Sequence, residues 1–290
     1  MAKRVLITGA SGFVGSQVLE YMLEKTDWEF VAIASGRPSS SSLRIRPHSR
    51  VEVVTHNLTK AMPDLGEFDY ILNLASESHV DRSIADPVNF IENNVSLTLQ
   101  VLEYARKHPC KVFLQFSTDE VFGPGGYPSN PYAASKAAQE MTAQAYHRTY
   151  GIPLIITNSN NIVGKSQHPE KFVPKVVELI RADKTVPIHM VGGRPGRRWW
   201  NPVENIADAL IYVLRQGSTG IERYDIPGGK MLDNLEMAQL IAKLMSKPLD
   251  YELVEAGAVR PGYDEFYNRA HNIPGWSPVM TLELGLSWIH

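Results

Sequence analysis

Near the start of the chain the apolar triplet Val5-Leu6-Ile7 runs into Gly9-Ala-Ser-Gly12-Phe-Val-Gly15. Val14 to Lys25 then place Val14, Val18, Tyr21 and Met22 on one helical face. A short, unbroken apolar run reads as a strand buried on both faces. Glycines three apart let the chain turn sharply from that strand into the helix and leave backbone N–H groups free where a phosphate is favoured. The spacing is G-x-x-G-x-x-G, not the commoner G-x-G-x-x-G, and a purely structural turn is the competing reading. A buried strand followed at once by a helix constrains the fold strongly, because it is the first leg of a crossover in a parallel sheet.

The alternation continues. Phe30–Ala34, Val51–Thr55, Tyr70–Leu74, Val112–Ser117 and Leu154–Asn158 read as strands, and Asn89–Lys107 and Tyr132–Tyr150 as long helices. This order predicts an α/β fold, a Rossmann-like doubly wound parallel sheet, with ligands bound beyond the carboxyl ends of the strands. Gly9, Ala75-Ser76, Thr118 and Asn160 all follow predicted strand ends, so they are expected to converge on one crevice. After Asn161 the alternation weakens. Pro174–Ala182, Asn205–Gln216 and Asn234–Met245 read as helices, the last capped by Asp233 or Asn234, and Pro/Gly clusters at 192–196 and 227–229 mark loops. The expected division is a dinucleotide-binding domain at 1–165, with 206–227 returning to it, and a smaller substrate-binding lobe at 166–290.

Composition narrows the function classes. A chain of 290 residues, 43% hydrophobic and 21% charged, can bury a large core. A net charge of −2 predicts no general attraction to nucleic acid or to an anionic membrane. The single cysteine, Cys110, excludes an intrachain disulfide, fits a reducing compartment and reads as an inert buried thiol. The apolar runs fall short of the ~20 residues a membrane helix needs. Met-Ala-Lys-Arg leads straight into a strand, so no leader is expected, and a cytoplasmic location is. The nine histidines are scattered and thiol clusters are absent, so no metal site is expected.

The chemistry concentrates in residues 117–136: Ser117-Thr118-Asp119-Glu120, then Tyr132 and Lys136. Tyr and Lys four apart share one helical face, and an ammonium beside a phenol lowers its pKa toward that of a usable base. Thr118 can relay or hold a substrate hydroxyl. Two adjacent carboxyls can serve as acid and base if their surroundings separate their pKa values. The bland alternatives are a half-buried Tyr/Lys pair on an amphipathic helix and an Asp-Glu pair in a solvated turn or cap. His79 reads as structural.

On these residues the chain resembles the extended short-chain dehydrogenase/reductases, and among them the dTDP-glucose 4,6-dehydratase family. The resemblance runs through TGASGFVGS (8–16), LASESHVDRSIADPVNFIENNV (74–95), FSTDEVFG (116–123), NPYAASKA (130–137) and TNSNNIVG (157–164). It continues through PEKFVP (169–174), RRWWNPVENIADAL (197–210), RPGYDEFYN (260–268) and PGWSP (274–278). Tyr-x-x-x-Lys marks only the broad superfamily, whereas Thr-Asp-Glu marks the dehydratases against the epimerases and decarboxylases.

The resemblance implies a nucleotide-sugar 4,6-dehydratase that converts an NDP-hexose to its 4-keto-6-deoxy form. The implied catalytic residues are Thr118, Asp119, Glu120, Tyr132 and Lys136. The implied cofactor residues are Gly9, Ser11, Gly12, Phe13, Val14, Gly15, Ser35, Arg37, Ser39, Asn57, Leu58, Leu74, Ala75, Ser76, Asn94 and Ser117, with Tyr132 and Lys136. Ser78, Thr118, Asn161, Lys171, Phe172, Arg198 and Arg260 are the implied substrate contacts, the arginines and Asn161 at the diphosphate. A homodimer pairing helices 89–107 and 132–150 in a four-helix bundle is implied as well. A 4-epimerase or decarboxylase on the same scaffold, and a non-catalytic dinucleotide-binding regulator, are the competing functions.

The chain also departs from the family. The segment between Gly123 and Tyr132 is short, Trp199 stands where the family has Asp, Asn205 replaces a later Asp, Asn57 replaces an aspartate near the adenine, and Ile162-Val163 replaces Asn-Tyr. The second strand ends at Ala34-Ser35 without the acid that meets ribose hydroxyls in NAD-preferring folds. Arg37, four serines and Arg44 follow instead, similar to the loop of GDP-mannose 4,6-dehydratase, so NADP is the expected cofactor and NAD the alternative.

Overall fold

The structure, a computed structural model, describes residues 2–35, 44–255 and 272–290. Its elements run β1 (Arg4–Thr8), α1 (Phe13–Lys25), β2 (Glu29–Ala34), β3 (Val51–Thr55), β4 (Tyr70–Asn73), α2 (Val80–Ala85) and α3 (Pro87–Lys107). Next come β5 (Val112–Thr118), α4 (Pro131–Tyr150), β6 (Leu154–Ser159), β7 (Asn161–Val163), α5 (Phe172–Arg181), β8 (Val186–Val191) and β9 (Arg194–Pro195). The chain ends with β10 (Arg197–Pro202), α6 (Val203–Gln216), β11 (Ile221–Ile226), β12 (Lys230–Asp233), α7 (Asn234–Leu244), β13 (Tyr251–Glu255) and α8 (Leu282–Gly285).

Seven strands form one parallel sheet in the order β3-β2-β1-β4-β5-β6-β11, so the Rossmann-like α/β architecture is present. Alternating side chains feed two cores, which is why the central strands β1, β2 and β4 carry unbroken apolar runs rather than an apolar residue at every second position. Val5 and Ile7, Phe30 and Ala32, and Tyr70 and Leu72 face the core that receives Val18 and Met22 of α1 and Leu210 and Val213 of α6. Leu6, Val31, Ile33 and Ile71 face the opposite core, with Val101 and Leu102 of α3 and Ala143 of α4. Truncating one such residue to alanine costs about 2–5 kcal/mol.

Local signals set the helix ends. Asn130 caps α4 by accepting from the Ala133 N–H, Pro131 takes the first helical position, and Gly151 closes the helix at φ 73°. Asp233 and Glu236 form a reciprocal capping box on α7.

Beyond β6 the structure adds strands where the sequence suggested only helices and loops. β12-β10-β7 and β13-β8-β9 form two three-stranded sheets. Val173, Val176, Val177 and Ile180 of α5 pack there against Met237 and Ile241 of α7 and Leu282. These strands are short and carry Pro187, Pro195 and Pro202, so they lack the alternation that marks a half-buried strand. The Pro/Gly cluster at 192–196 holds the hairpin between β8 and β9, where Gly192 and Gly193 take φ 62° and 81° across a two-residue turn. Among the described residues, no helix is long and apolar enough to cross a membrane, and none of the His, Cys, Asp and Glu groups could hold a metal ion.

Candidate active site

The crevice lies where strand order reverses, between β1 and β4. Gly9 takes φ +69°, and a Cβ there would lie 2.8 Å from the Ala75 Cα, so the turn after β1 presses on the turn after β4. A Cβ on Gly15 would lie 2.2 Å from the Gly9 carbonyl oxygen, which packs the first turn of α1 onto the same loop. The Gly12 N–H closes the turn on Gly9 O at 2.9 Å, and α1 starts with no side-chain cap and no acid in its first turn. Thr8 Oγ1 accepts from the Ala75 N–H at 3.2 Å and donates to Asn73 Oδ1 at 2.8 Å, a buried link between the ends of β1 and β4. Ser117, buried near the end of β5, has a hydroxyl with no hydrogen-bond partner among the described residues. A glycine cradle that a Cβ would fill, an uncapped helix start and an orphaned hydroxyl together fit a dinucleotide.

The remaining cofactor-side residues divide. Buried Phe13 packs against Gly164, Val14 packs on the core under α1 and α6, and Leu58 packs on the opposite core. Ser11 is buried and its carbonyl accepts from Arg44 at 3.5 Å, so that arginine reaches the glycine loop. Ser35 is exposed at the end of β2, and Leu74 and Ser76 are half-buried at the crevice. Asn57 is exposed, with its Oδ1 accepting from Thr59 N and Oγ1. Asn94 commits its amide to Glu77 and Ser135 (2.8–3.0 Å), so it ties the 75–77 turn to α4. Arg37, Ser39 and Arg260 lie outside the described residues.

The catalytic candidates meet on the other side. Thr118 ends β5 and caps a 3-10 turn over Asp119–Phe122, its Oγ1 accepting from the Glu120 N–H at 3.3 Å and donating to Asp119 Oδ1 at 3.2 Å. Asn160 Nδ2 donates to Asp119 Oδ2 at 2.8 Å. Glu120 Oε2 accepts from Asn130 Nδ2 at 3.1 Å, so the residue that caps α4 also ties down the carboxylate. Tyr132 sits in the first turn of that helix, its N–H bonded to Ser83 Oγ at 3.1 Å and its ring edge-on to Phe90. Lys136 is 3% exposed and donates to Phe116 O at 2.7 Å.

Burial sets the electrostatics. It pushes the Asp119 carboxyl up to about 7, opposed by the Asn160 hydrogen bond and helped by the Glu120 charge. Burial lowers the Lys136 ammonium to about 8, against the pull of Glu140. The expected lowering of the Tyr132 phenol by Lys136 is not seen. Burial first, then the Glu120 and Asp119 charges, hold the phenol well above its ordinary value, and the bond to Thr118 only partly offsets them. The lysine is turned to the Phe116 carbonyl instead. Cys110 is pushed up to about 12 by burial. His79 is structural in this geometry, its Nδ1 accepting from the Arg82 N–H at the start of α2.

The candidate substrate residues within the described structure come from several elements. Lys171 Nζ donates to Ser78 O at 3.2 Å, bringing two of them together across the crevice. Phe172 opens α5 and packs on Trp200, with ring centroids 6.0 Å apart. Trp200 is buried and donates to Leu232 O, so it is core, whereas Trp199 is half-buried. Arg198 lies on β10, close enough for its charge to act on Asp119. Asn161 begins β7, while its neighbour Asn160 holds Asp119 and accepts from Gly228 N at 2.7 Å. Asn160 carried a sequence signal only as a strand-end residue. The network of Glu140, Asn158 and Arg223 behind Thr118 carried none.

Comparison with known proteins agrees with this geometry. Residues 5–226 match the NAD dependent epimerase/dehydratase family. A dTDP-glucose 4,6-dehydratase of Haemophilus influenzae is 34% identical, over 97% of this chain and 95% of its own. The low-salt glycan biosynthesis protein Agl12 of Haloferax volcanii is also 34% identical, over 97% and 96%. The dTDP-glucose 4,6-dehydratase of Streptomyces venezuelae, solved with NAD and TYD bound, superposes with a TM-score of 0.85 at 28% identity, covering 99% of this chain and 95% of its own. The Bacillus anthracis dTDP-glucose 4,6-dehydratase, solved with NAD, gives 0.82 at 28% identity, covering 99% and 95%. The glycine cradle, Thr-Asp-Glu turn and Tyr/Lys helix of this chain thus come with near full-length similarity: the chain belongs to the NAD dependent epimerase/dehydratase family and, within it, to the dTDP-glucose 4,6-dehydratase family.

Proposed function

We propose that the protein is a nucleotide-sugar 4,6-dehydratase acting on an NDP-hexose. The observation that carries this is the Asp119–Glu120 pair, held by different partners, with Asp119 raised to about 7. Tyr132, with Thr118 beside it, takes the proton of the sugar C4 hydroxyl. The bound dinucleotide supplies the hydride acceptor and later the donor. Once C4 is a ketone, the C5 proton is acidic and Glu120 removes it. Asp119, still protonated near neutrality, gives its proton to the C6 hydroxyl, which leaves as water. An oxidised nicotinamide, when bound, would add a positive charge opposing the burial that raises the Tyr132 phenol, while Lys136 holds the Phe116 carbonyl near the end of β5. Lys171, Phe172, Arg198 and Arg260, with Ser78 and Asn161, are assigned to the nucleotide diphosphate and sugar, so residues 166–290 outside 206–227 form the substrate lobe.

The cofactor is inferred to be NAD. The NADP expected from the 35–44 stretch has no support among relatives, and the two dehydratases above were solved with NAD. A homodimer through α3 and α4 is supported by the exposed apolar side chains of Val88 and Met141 on those helices. Met141→Glu is expected to shift the sedimenting species toward monomer.

The test is a panel of dTDP-, UDP-, GDP- and CDP-hexoses incubated with the NAD-loaded protein and read by mass spectrometry. Loss of one water with a keto product is expected. Glu120→Gln is expected to slow it about 10²–10⁴-fold while the nicotinamide still becomes reduced on mixing. Release of a sugar isomer without water loss means an epimerase, and no turnover of any hexose means a binding protein.

A further inference from the structure

Behind the catalytic turn, three side chains from three elements close a ring. Glu140, on α4 one helical turn after Lys136, is 4% exposed. Its Oε1 accepts from Asn158 Nδ2 of β6 at 2.8 Å, and its Oε2 accepts from Arg223 Nη2 of β11 at 2.6 Å. Arg223 Nη1 donates to Asn158 Oδ1 at 2.8 Å. The second N–H of the Asn158 amide donates to the Thr118 carbonyl at 3.0 Å. The Arg223 guanidinium also lies over the Phe122 ring, 5.2 Å from its centroid. The ring therefore grips the Asp119-Glu120 turn at both ends, through the backbone of Thr118 and the side chain of Phe122.

A buried carboxylate paired with arginine is costly to desolvate and is commonly replaceable by apolar packing without loss of stability. Here its geometry serves two neighbours. Asn158 can hold Thr118 O only while Glu140 and Arg223 fix both faces of its amide. The Glu140 carboxylate also stands at i+4 from Lys136, the spacing at which helical side chains interact.

We propose that Glu140, Asn158 and Arg223 are positioning residues that fix the Thr118–Phe122 turn and set a negative charge behind Lys136, coupling the acid–base pair to the Tyr132–Lys136 helix. The other charged or titratable groups facing this region are Asp119 and Glu120 in the turn, Tyr132 on α4 and Arg223 on β11. Glu140, and none of these, raises Lys136 against burial. Removing its charge therefore lets the lysine deprotonate at lower pH, whereas removing the arginine fork leaves that charge in place and frees the turn.

Two variants separate these effects. Amide hydrogen exchange across residues 118–123 is read on the protein without substrate. The pH dependence of the first half-reaction is read as single-turnover nicotinamide reduction, a step that precedes the work of Asp119. Arg223→Lys is expected to raise exchange in the turn roughly tenfold with the alkaline limb unmoved. Glu140→Gln is expected to move that limb down by roughly one pH unit or more, and Glu140→Asp to restore part of it. A lone buried charge can unfold the protein, so the double variant Glu140→Gln/Arg223→Gln is measured beside them; it should show both the fast exchange and the lowered limb. Unchanged exchange in Arg223→Lys and in the double variant, or a Glu140→Gln profile that overlays wild type, overturns the proposal. The pH arm rests on the dehydratase reading and the exchange arm does not. A wild-type protein that turns over no hexose therefore defeats that reading, and the exchange result alone then decides whether the ring positions the turn.

Discussion

Asn160 donates a 2.8 Å hydrogen bond to Asp119 Oδ2, so the acid at the end of β5 is held by the residue that follows β6. That bond favours the carboxylate, yet burial outweighs it and the group rests at about 7. Elimination is expected to fall in rate as pH rises above that value, as the acid loses its proton. Stability follows the same shift. In the unfolded chain the carboxyl titrates near pH 4. Between about 4 and 7 the folded protein binds the extra proton, so the contribution of Asp119 is full at low pH and is lost as pH rises through that window. Asp119→Asn removes this dependence. Its melting temperature is expected to exceed wild type by roughly 2–4 °C at about pH 8, with little difference near pH 4, while elimination slows about 10²–10⁴-fold. Thermal unfolding at the two pH values, paired with product analysis, checks both halves.

Gly228 links this acid to the substrate side. Its N–H donates to Asn160 Oδ1 at 2.7 Å, and a Cβ there would come within 3.0 Å of the Trp200 backbone nitrogen and oxygen. Gly228→Ala is expected to push the loop off β10 and turn the Asn160 amide away from Asp119. Turnover should fall roughly tenfold or more, and the alkaline limb of the rate profile should rise, because a hydrogen bond that favours the charged form is lost. A profile superimposable on wild type would mean that Asn160 is oriented by other contacts.

The legible part of the molecule is the part in which burial is two-sided. Val5-Leu6-Ile7 and Phe30–Ala34 reveal their strands because both faces of the sheet are covered, and the glycine turn after β1 shows itself by spacing. β9 and β10 stayed hidden because short strands with arginine and proline carry no period, and β7 because three residues are too few to show one. Within the site, Thr118, Asp119, Glu120, Tyr132 and Lys136 are readable because local sequence brings them close. Arg223 and Glu140 stand 83 positions apart, and Asn160 and Asp119 stand 41 apart. Only the order of strands places such pairs together, and a hydrogen bond between polar side chains leaves no pattern along a single chain. The NADP expectation rests on Arg37 and Ser39, which lie outside the described residues, whereas the two dehydratases compared above were solved with NAD.

Gly15 tests the cradle independently of catalysis. A Cβ at this position would sit 2.2 Å from the Gly9 carbonyl oxygen and 2.7 Å from its carbon, both backbone atoms that cannot rotate away. Gly15→Ala is expected to separate α1 from the glycine loop, to cost about 1–3 kcal/mol as other overpacking does, and to abolish copurification of the dinucleotide. Gly151→Ala is the control: no atom lies within 4 Å of its Cβ, although φ +73° makes it strained, so it should lose stability and keep the nucleotide. Denaturant unfolding with mass spectrometry of the released cofactor distinguishes the two.

Arg198 is assigned to the diphosphate, and its charge also reaches Asp119, where it favours the carboxylate. The two roles predict opposite signs in one variant. Arg198→Met removes a phosphate contact, so KM for the nucleotide sugar should rise by roughly tenfold or more. It also removes a cation that lowers Asp119, so the acid keeps its proton to higher pH and the alkaline limb of kcat should move upward. A KM increase with an unmoved limb would leave Arg198 at the diphosphate alone. A limb that moved downward would contradict the charge arrangement described for the site, because no loss of a nearby positive charge can make a carboxyl group release its proton more readily.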